Sequence, residues 1–588
     1  MVNPADLNQI DNTLFLPTTR KELKALGWER PDIILVSGDS YIDSPYIGVA
    51  VIGRVLLSAG FRTAIIAQPD IHSGDDIKRL GEPKLFWGVS AGCVDSLVAN
   101  YTASKKRRKK DDYTPGGINN KRPDRAVINY TNLIKQYFKN TVPIILGGIE
   151  ASLRRICHYD FWSNAIRKSV LFDAKADFLV YGMGEKTIIE LAKALANDSS
   201  TDNISGLCYI SKEKKETYIE LPAFNEVKSD SAKFIKMFHS FSQNNDPLTA
   251  KGLCQKHDSR YLVQNPPQHN PGGAELDFIH DFGYKRDLHP YYKKFGNVKA
   301  LDVIKFSIPI HSGCYGECNF CAISVHQGRT VSWRSEKSIL KEAQLISRMP
   351  DFKGIISDAG GPTANMYGFE CKKKLKTGSC AEKRCLYPEV CPSLKPNHSG
   401  LINLLKKLRR IKGIKHVFTA SGIRYDLIFA DKKNGYKYLK EIISHHVSGQ
   451  LKIAPEHTED NICRLMGKSG NKSLWEFKKA FDRVTKNSDK KLFLTYYFVA
   501  AHPGCTVTDM MKLKKFIHEK LKTHPEQVQI FTPTPSTYST LMYHTGLDPF
   551  NTKKIFVEKS FNGREKQKQV IIRKKKPSEK LAGSSDGF

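Results

Sequence analysis

His311-Ser312-Gly313-Cys314-Tyr315-Gly316-Glu317-Cys318-Asn319-Phe320-Cys321 sets three cysteines at the spacing C-x3-C-x2-C. The run before it, Leu301-Asp302-Val303-Ile304-Lys305-Phe306-Ser307-Ile308, alternates in character and predicts a β-strand that delivers the loop. Gly313 and Gly316 let the loop curl, so that thiolates and backbone N–H groups aim at one point. A [4Fe–4S] cluster takes four ligands, usually Cys thiolates. With three, one iron keeps an open position that can chelate a small ligand and pass it an electron. A zinc knuckle and unliganded buried thiols are the competing readings. Zinc prefers four ligands in two paired sets, and His311 is the nearest fourth donor.

Downstream, strands alternate with helices from 297 to 550. A helix is expected over 335–347, then strands at Gly354–Asp358 and His416–Ala420, a strand and loop over Gln450–Glu459, a strand with a Pro-Gly turn over Phe498–Thr506, and a final strand over Gln529–Pro535. With the strand before the cysteines these make six, an incomplete barrel open on one side for a large substrate. Polar groups at the C-terminal ends of barrel strands are placed for a ligand. Those positions hold Gly360-Gly361-Pro362, Ser421, Arg424, Lys452, Glu456, His457 and His502.

Upstream, over 1–200, apolar strands at 31–39, 62–67, 85–90, 143–146 and 178–181 alternate with helices such as 47–59. Continuous apolar strands of this kind argue a parallel sheet with helices on both faces. Ser37-Gly38-Asp39, Ser90-Ala91-Gly92, Gly147-Gly148-Ile149-Glu150 and Gly182-Met183-Gly184-Glu185 fall at its ligand-facing end. The arginines of Ala151-Ser152-Leu153-Arg154-Arg155 could meet an anion there. Lys105-Lys106-Arg107-Arg108-Lys109-Lys110 predicts a mobile basic surface loop. Residues 201–296 read as a connector between two domains, and 551–588, with eleven Lys or Arg against four acids, as a basic disordered tail.

The cysteine spacing, with Phe320 before the third cysteine, resembles that of radical S-adenosylmethionine (radical SAM) enzymes. Asp358-Ala359-Gly360-Gly361-Pro362-Thr363-Ala364-Asn365-Met366-Tyr367, Ile453-Ala454-Pro455-Glu456-His457-Thr458-Glu459 and Gly147-Gly148-Ile149-Glu150-Ala151-Ser152-Leu153-Arg154-Arg155 resemble the YgiQ family within them, over 15–550. The fold class this implies is α/β. A Rossmann-like, cobalamin-binding-like parallel-sheet domain precedes a partial (β/α)6, TIM-like radical SAM barrel. It implies a [4Fe–4S] cluster on Cys314, Cys318 and Cys321, reductive cleavage of S-adenosylmethionine, and a 5′-deoxyadenosyl radical that abstracts hydrogen or starts group transfer. Gly360, Gly361, Pro362, Ser421, Arg424 and Glu456 would cradle S-adenosylmethionine. The glycine turn would offer carbonyls to its ammonium, and Arg424 its fork to the carboxylate, unless Arg424 pairs with Asp426. Cobalamin is a further candidate, although Asp70-Ile71-His72-Ser73-Gly74-Asp75 lacks the final Gly of a D-x-H-x-x-G signature.

Cys371, Cys380, Cys385 and Cys391, at C-x8-C-x4-C-x5-C, suggest a second cluster, a zinc ion, or free thiols. Thirteen cysteines suit metal ligation and free thiols better than disulfides, and no run of eighteen apolar residues appears. A cytoplasmic protein without membrane contact is expected, reduced by a flavodoxin or ferredoxin. The net charge of +32 is compatible with an RNA partner. An RNA-modifying (methylthiotransferase- or methyltransferase-like) enzyme and a non-enzymatic iron–sulfur scaffold or redox sensor are the alternatives.

Overall fold

The computed structural model describes residues 15–486, 491–525 and 527–572. Its first half is built on a nine-stranded sheet. Five strands are mutually parallel, in the spatial order Thr63–Ala67, Ile33–Ser37, Phe86–Ser90, Ile144–Gly147, Phe178–Val180. The first three are almost entirely buried, as their unbroken apolar sequences require when helices cover both faces. By chain order this is 2-1-3-4-5, so the order reverses between Ile33–Ser37 and Phe86–Ser90. Sheets of this kind bind ligands at that point.

The stretch 201–296 is not a connector. Leu207–Ser211, Ile219–Leu221, Leu253–His257 and Arg260–Gln264 extend the same sheet beyond Phe178–Val180. Leu207–Ser211 is antiparallel to its neighbour, and Leu253–His257 forms a hairpin with Arg260–Gln264. Its turn begins at Asp258, whose φ of 54° suits an Asp. Charged turns between short strands hid this from the sequence.

The second half carries six parallel strand segments: Ser307–Pro309, 355–360, His416–Val417, Gln450–Glu456, Phe493–Ala500 and Gln527–Ile530. A bridge between Ile423 and Ile453 joins the third segment to the fourth. No pairing of the sixth with the first is present among the described residues, which is the expected open barrel. The expected strand over Leu301–Ile308 is a correction. Lys299–Ile304 is a helix, and only Ser307–Pro309 is strand. Leu301 and Ile304 lie three residues apart, a helical spacing, and both pack on the sheet core while Val303 is exposed.

The tail also differs from expectation. Phe561–Ile571 is a helix packed on the barrel. Gln567 is fully buried; its Oε1 accepts from Ala501 N (2.9 Å) and its Nε2 donates to Cys505 O (2.8 Å). Arg564, Gln567 and Ile571 face inward, which a count of charges cannot reveal. Residues 573–588 lie outside the described residues. The two halves are cross-linked: Ser536 donates to Leu153 O (2.8 Å), and Arg286 and Arg334 share the buried Glu342. No helix among the described residues is long and apolar enough to cross a membrane.

Candidate functional site

The first barrel strand runs into His311–Ser312, which pairs antiparallel with Ser332–Trp333 and closes the cysteine loop at its base. Gly313, at φ +80°, is obligatory: a Cβ there would lie 2.1 Å from Thr330 O. Gly316 leaves room of another kind. A Cβ at this position would stand 3.2 Å from Cys314 Sγ, 3.7 Å from Cys318 Sγ and 3.5 Å from Arg424 Nη1. Two of the three sulfurs and a guanidinium thus surround one small space. Gly316 N donates to Cys314 Sγ (3.3 Å), and Cys321 N to Cys318 O (2.9 Å). Asn319 pins the loop to the barrel wall, its N and Nδ2 donating to Met466 O and Leu465 O.

Burial raises the Cys314 thiol pKa and pushes Cys321 up to about 12, and neighbouring cysteines add to both shifts. Thiolate at Cys314 and Cys321 is thus disfavoured until a positive charge, as iron supplies, stands beside it. No three His, Cys, Asp or Glu donors among the described residues stand in position for a single metal ion. A cubane is wider than one ion and takes its thiolates further apart than a single zinc does. The donor chemistry fits a cluster. The buried ring of His311 packs against Gly361, where a Cβ would lie 2.5 Å from the ring. Gly361→Ala should therefore cost about 1–3 kcal/mol of stability, the usual price of overpacking, measured by urea unfolding.

In the second group Cys371 is buried, Cys385 and Cys391 are half-buried and Cys380 is exposed. Their loop is tied to the first by Lys374, which pairs with buried Glu370 (2.9 Å) and donates to Arg329 O (2.8 Å).

At the strand ends, Gly360 O accepts from Ile310 N (2.9 Å), part of the barrel ladder. Ser421 donates to Asp358, whose carboxylate also accepts from Ala420 N (2.8 Å). Burial raises the Asp358 pKa against these bonds. The Arg424 fork is filled by Asp426, with Nε 3.0 Å from Oδ1, and Nη1 points to Cys318 Sγ at 3.7 Å. Asn365 holds the Arg424 backbone from both sides, and His398 and Asp431 stand behind it. Asp358 and Asn365 were quoted in the strand motif without a role; their partners lie about sixty residues away, beyond any local signal. Glu456 sits at φ +66° where its strand ends, 3.8 Å from Lys468. Burial raises its pKa, opposed by Lys468 and Arg424.

His457 and His502 are structural. His457 Nε2 lies 3.6 Å from Cys505 Sγ. His502 Nδ1 donates to Pro503 O (2.8 Å) and Nε2 accepts from Ser539 (2.7 Å), and burial pushes its pKa down to about 3. A folded pKa below the unfolded ~6.5 gives stability that is full above pH 6.5 and lost as pH falls toward 3. The loss runs at up to ~1.4 kcal/mol per pH unit. Urea unfolding at pH 7 and pH 5 should show a shallower pH slope in His502→Gln than in wild type.

At the switch point of the sheet domain a buried arginine meets two acids. Arg122, fully buried, lies 2.6 Å from Asp39 and 3.2 Å from Asp111 and donates to Ala91 O. Arg154 pairs with Asp95, and Arg155 lies buried between Tyr181 and Phe241, donating to Gln264 and Asn245; neither reaches an open anion site. Asp70 and His72 form an exposed turn. The 105–110 run is exposed, with ordered turns held by Arg108 N to Asn100 O (2.7 Å).

A family model described as Radical SAM N-terminal matches residues 15–307, which is the sheet domain up to the first barrel strand. A UPF0313 protein of Fusobacterium nucleatum is 58% identical over 96% of this chain and 99% of its own length. One from Thermotoga maritima is 48% identical over 96% and 100%. The chain belongs to the UPF0313 family, a radical SAM-related group. Among solved structures, the radical S-adenosylmethionine methyltransferase TsrM from Kitasatospora setae, with cobalamin and a [4Fe–4S] cluster bound, gives a TM-score of 0.49. It is 13% identical, over 87% of this chain and 74% of that one. The cobalamin-dependent radical enzyme OxsB gives 0.49 at 13% identity, over 89% and 57%.

Proposed function

We propose that the protein is a radical SAM enzyme of the YgiQ type. Cys314, Cys318 and Cys321 hold a [4Fe–4S] cluster, and the strand ends of the barrel hold S-adenosylmethionine. One observation carries this: a loop at the mouth of an open parallel barrel holds Cys314, Cys318 and Cys321, with Cys314 Sγ and Cys318 Sγ beside the small space that Gly316 leaves. Bound there, the cluster supplies the electron that cleaves S-adenosylmethionine to methionine and a 5′-deoxyadenosyl radical, with a flavodoxin or ferredoxin as its source. Gly360, Gly361 and Pro362 present backbone to the ligand, with Gly361 keeping the turn flat on His311. Ser421, fixed by Asp358, keeps its oxygen lone pairs for a ligand hydroxyl, and Glu456, paired with Lys468 at 3.8 Å, stands at the end of its strand. Cobalamin stays in the proposal on the strand order of the sheet domain alone; no residue is assigned to it and no step runs through it.

Anaerobic reconstitution tests the reading. About four irons per chain, and 5′-deoxyadenosine released under dithionite, are the expected results. A cluster without that product would make the protein a scaffold or redox sensor. Zinc in the loop would overturn the assignment.

A further inference from the structure

We infer that Arg424 and Asp426 form a positioning pair for the Cys318 thiolate, and that together they set how readily a cluster held there accepts an electron. The inference rests on the proposed function, because it presumes that cluster. It reassigns Arg424, which the sequence offered to the carboxylate of S-adenosylmethionine.

The geometry begins at the backbone. Arg424 ends the turn after the third barrel strand and precedes the helix Tyr425–Ala430. Its N–H donates to Asn365 Oδ1 (2.8 Å), and its carbonyl accepts from Asn365 Nδ2 (2.9 Å). His398 Nε2 lies 3.2 Å from that Nδ2, and His398 Nδ1 lies 2.9 Å from Asp431. Asn365 and His398 are fully buried. A side chain anchored this firmly points where its rotamer sends it.

That direction is the cysteine loop. Nε donates to Asp426 at 3.0 and 3.2 Å, and Nη2 to the same carboxylate. With that edge of the fork used, Nη1 is left to face Cys318 Sγ at 3.7 Å. Residue 316 lines the same space: a Cβ there would stand 3.5 Å from Nη1, in ordinary van der Waals contact. Side-chain exposure is 12% for Arg424 and 8% for Asp426, so water screens the contact little.

Hydrogen bonds and net charge at the sulfurs tune cluster potentials. A cation donating to a thiolate favours the more negative, reduced state. The carboxylate behind it offsets that charge and pulls the other way. The pair should therefore act as two opposed settings on one sulfur. A merely structural ion pair has no such asymmetry, since losing either partner harms the fold alike.

The test is a redox titration of the reconstituted holoenzyme, followed by electron paramagnetic resonance, in wild type, Arg424→Gln and Asp426→Asn. At one fixed potential, Arg424→Gln is expected to lower the reduced-to-oxidised ratio about tenfold, a shift of ~59 mV for one electron. Asp426→Asn is expected to raise the ratio. Arg424→Lys, which keeps the charge but loses the fork, should fall between Arg424→Gln and wild type; it carries the measurement if the glutamine variant does not fold. Shifts of the same sign in both variants, or none, overturn the inference. So does an unchanged potential with weakened S-adenosylmethionine binding in Arg424→Gln, which would return the arginine to the carboxylate. A wild-type protein that assembles no cluster would instead overturn the proposed function itself.

Discussion

Cys318→Ala should fold normally, retain no [4Fe–4S] cluster after reconstitution, and release no 5′-deoxyadenosine above the cluster-free background. The fold and the chemistry separate at this residue for a visible reason. Cys318 is only half-buried; its backbone carbonyl accepts from Cys321 N, which alanine preserves, and its Sγ makes only long contacts, 3.7 Å to Arg424 Nη1 and 3.9 Å to Gly316 O. The loop is held by other groups: Asn319 on Met466 and Leu465, Ser539 N on Asn319 O, and Glu317 on Arg329 at 2.9 Å. Losing the thiol therefore removes a ligand without loosening its neighbours. The same result is expected for Cys314→Ala and Cys321→Ala. Cys505→Ala is the control: it is fully buried against His457, so it should lower stability while iron content stays at the wild-type level. The measurements are iron and sulfide analysis, visible absorbance, and a thermal melt of each apoprotein. Wild-type product yield from Cys318→Ala would remove the loop from the chemistry altogether.

What the sequence disclosed and what it hid follow one physical divide. The strands Ile33–Ser37 and Thr63–Ala67 are apolar end to end because both faces are covered, and local hydropathy is enough to find them. The three cluster cysteines sit within eight positions on one loop, so spacing alone names them. Arg424 shows the limit. Its residue type suits a carboxylate, and the sequence could offer Asp426 as such a partner, but not the approach of Cys318 from over a hundred positions away. The helix Phe561–Ile571 failed for a related reason. Gln567 is buried by partners at Ala501 and Cys505, and a lysine-rich count sees only the outer face. The hairpin from Leu253 to Gln264 carries Lys256, Asp258 and Arg260 around its turn, and only its pairing with Leu207–Ser211 makes it part of the sheet. Chemistry carried by residue type and spacing is legible; chemistry carried by a neighbour distant in sequence is not.

Arg122→Met is expected to destabilise the protein by about 3–5 kcal/mol, the usual cost of stripping one partner from a buried ion group. Burial works against the guanidinium, yet Asp39 and Asp111 hold its pKa above the ordinary value. Both carboxylates are almost fully buried, and no second cation is paired with either among the described residues. Methionine would fill most of the space but leave two charges without a counter-ion. If that is the origin of the loss, adding Asp39→Asn to Arg122→Met should restore part of it, since one stranded charge is then removed while Cys93 N keeps an amide oxygen to bond. Urea unfolding of the single and double variants decides the matter. A double variant less stable than the single would mean that packing, not charge, dominates there. The position gives the result a functional edge. Arg122 stands at the point where the strand order reverses, the place a parallel sheet of this order ordinarily keeps for its ligand. There Arg122 ties Asp39, Asp111 and Ala91 O together, while the cysteine loop gathers at the barrel mouth. Loss of Arg122 should consequently act on the stability of the sheet domain, and reconstituted Arg122→Met that remains folded should carry the wild-type complement of iron.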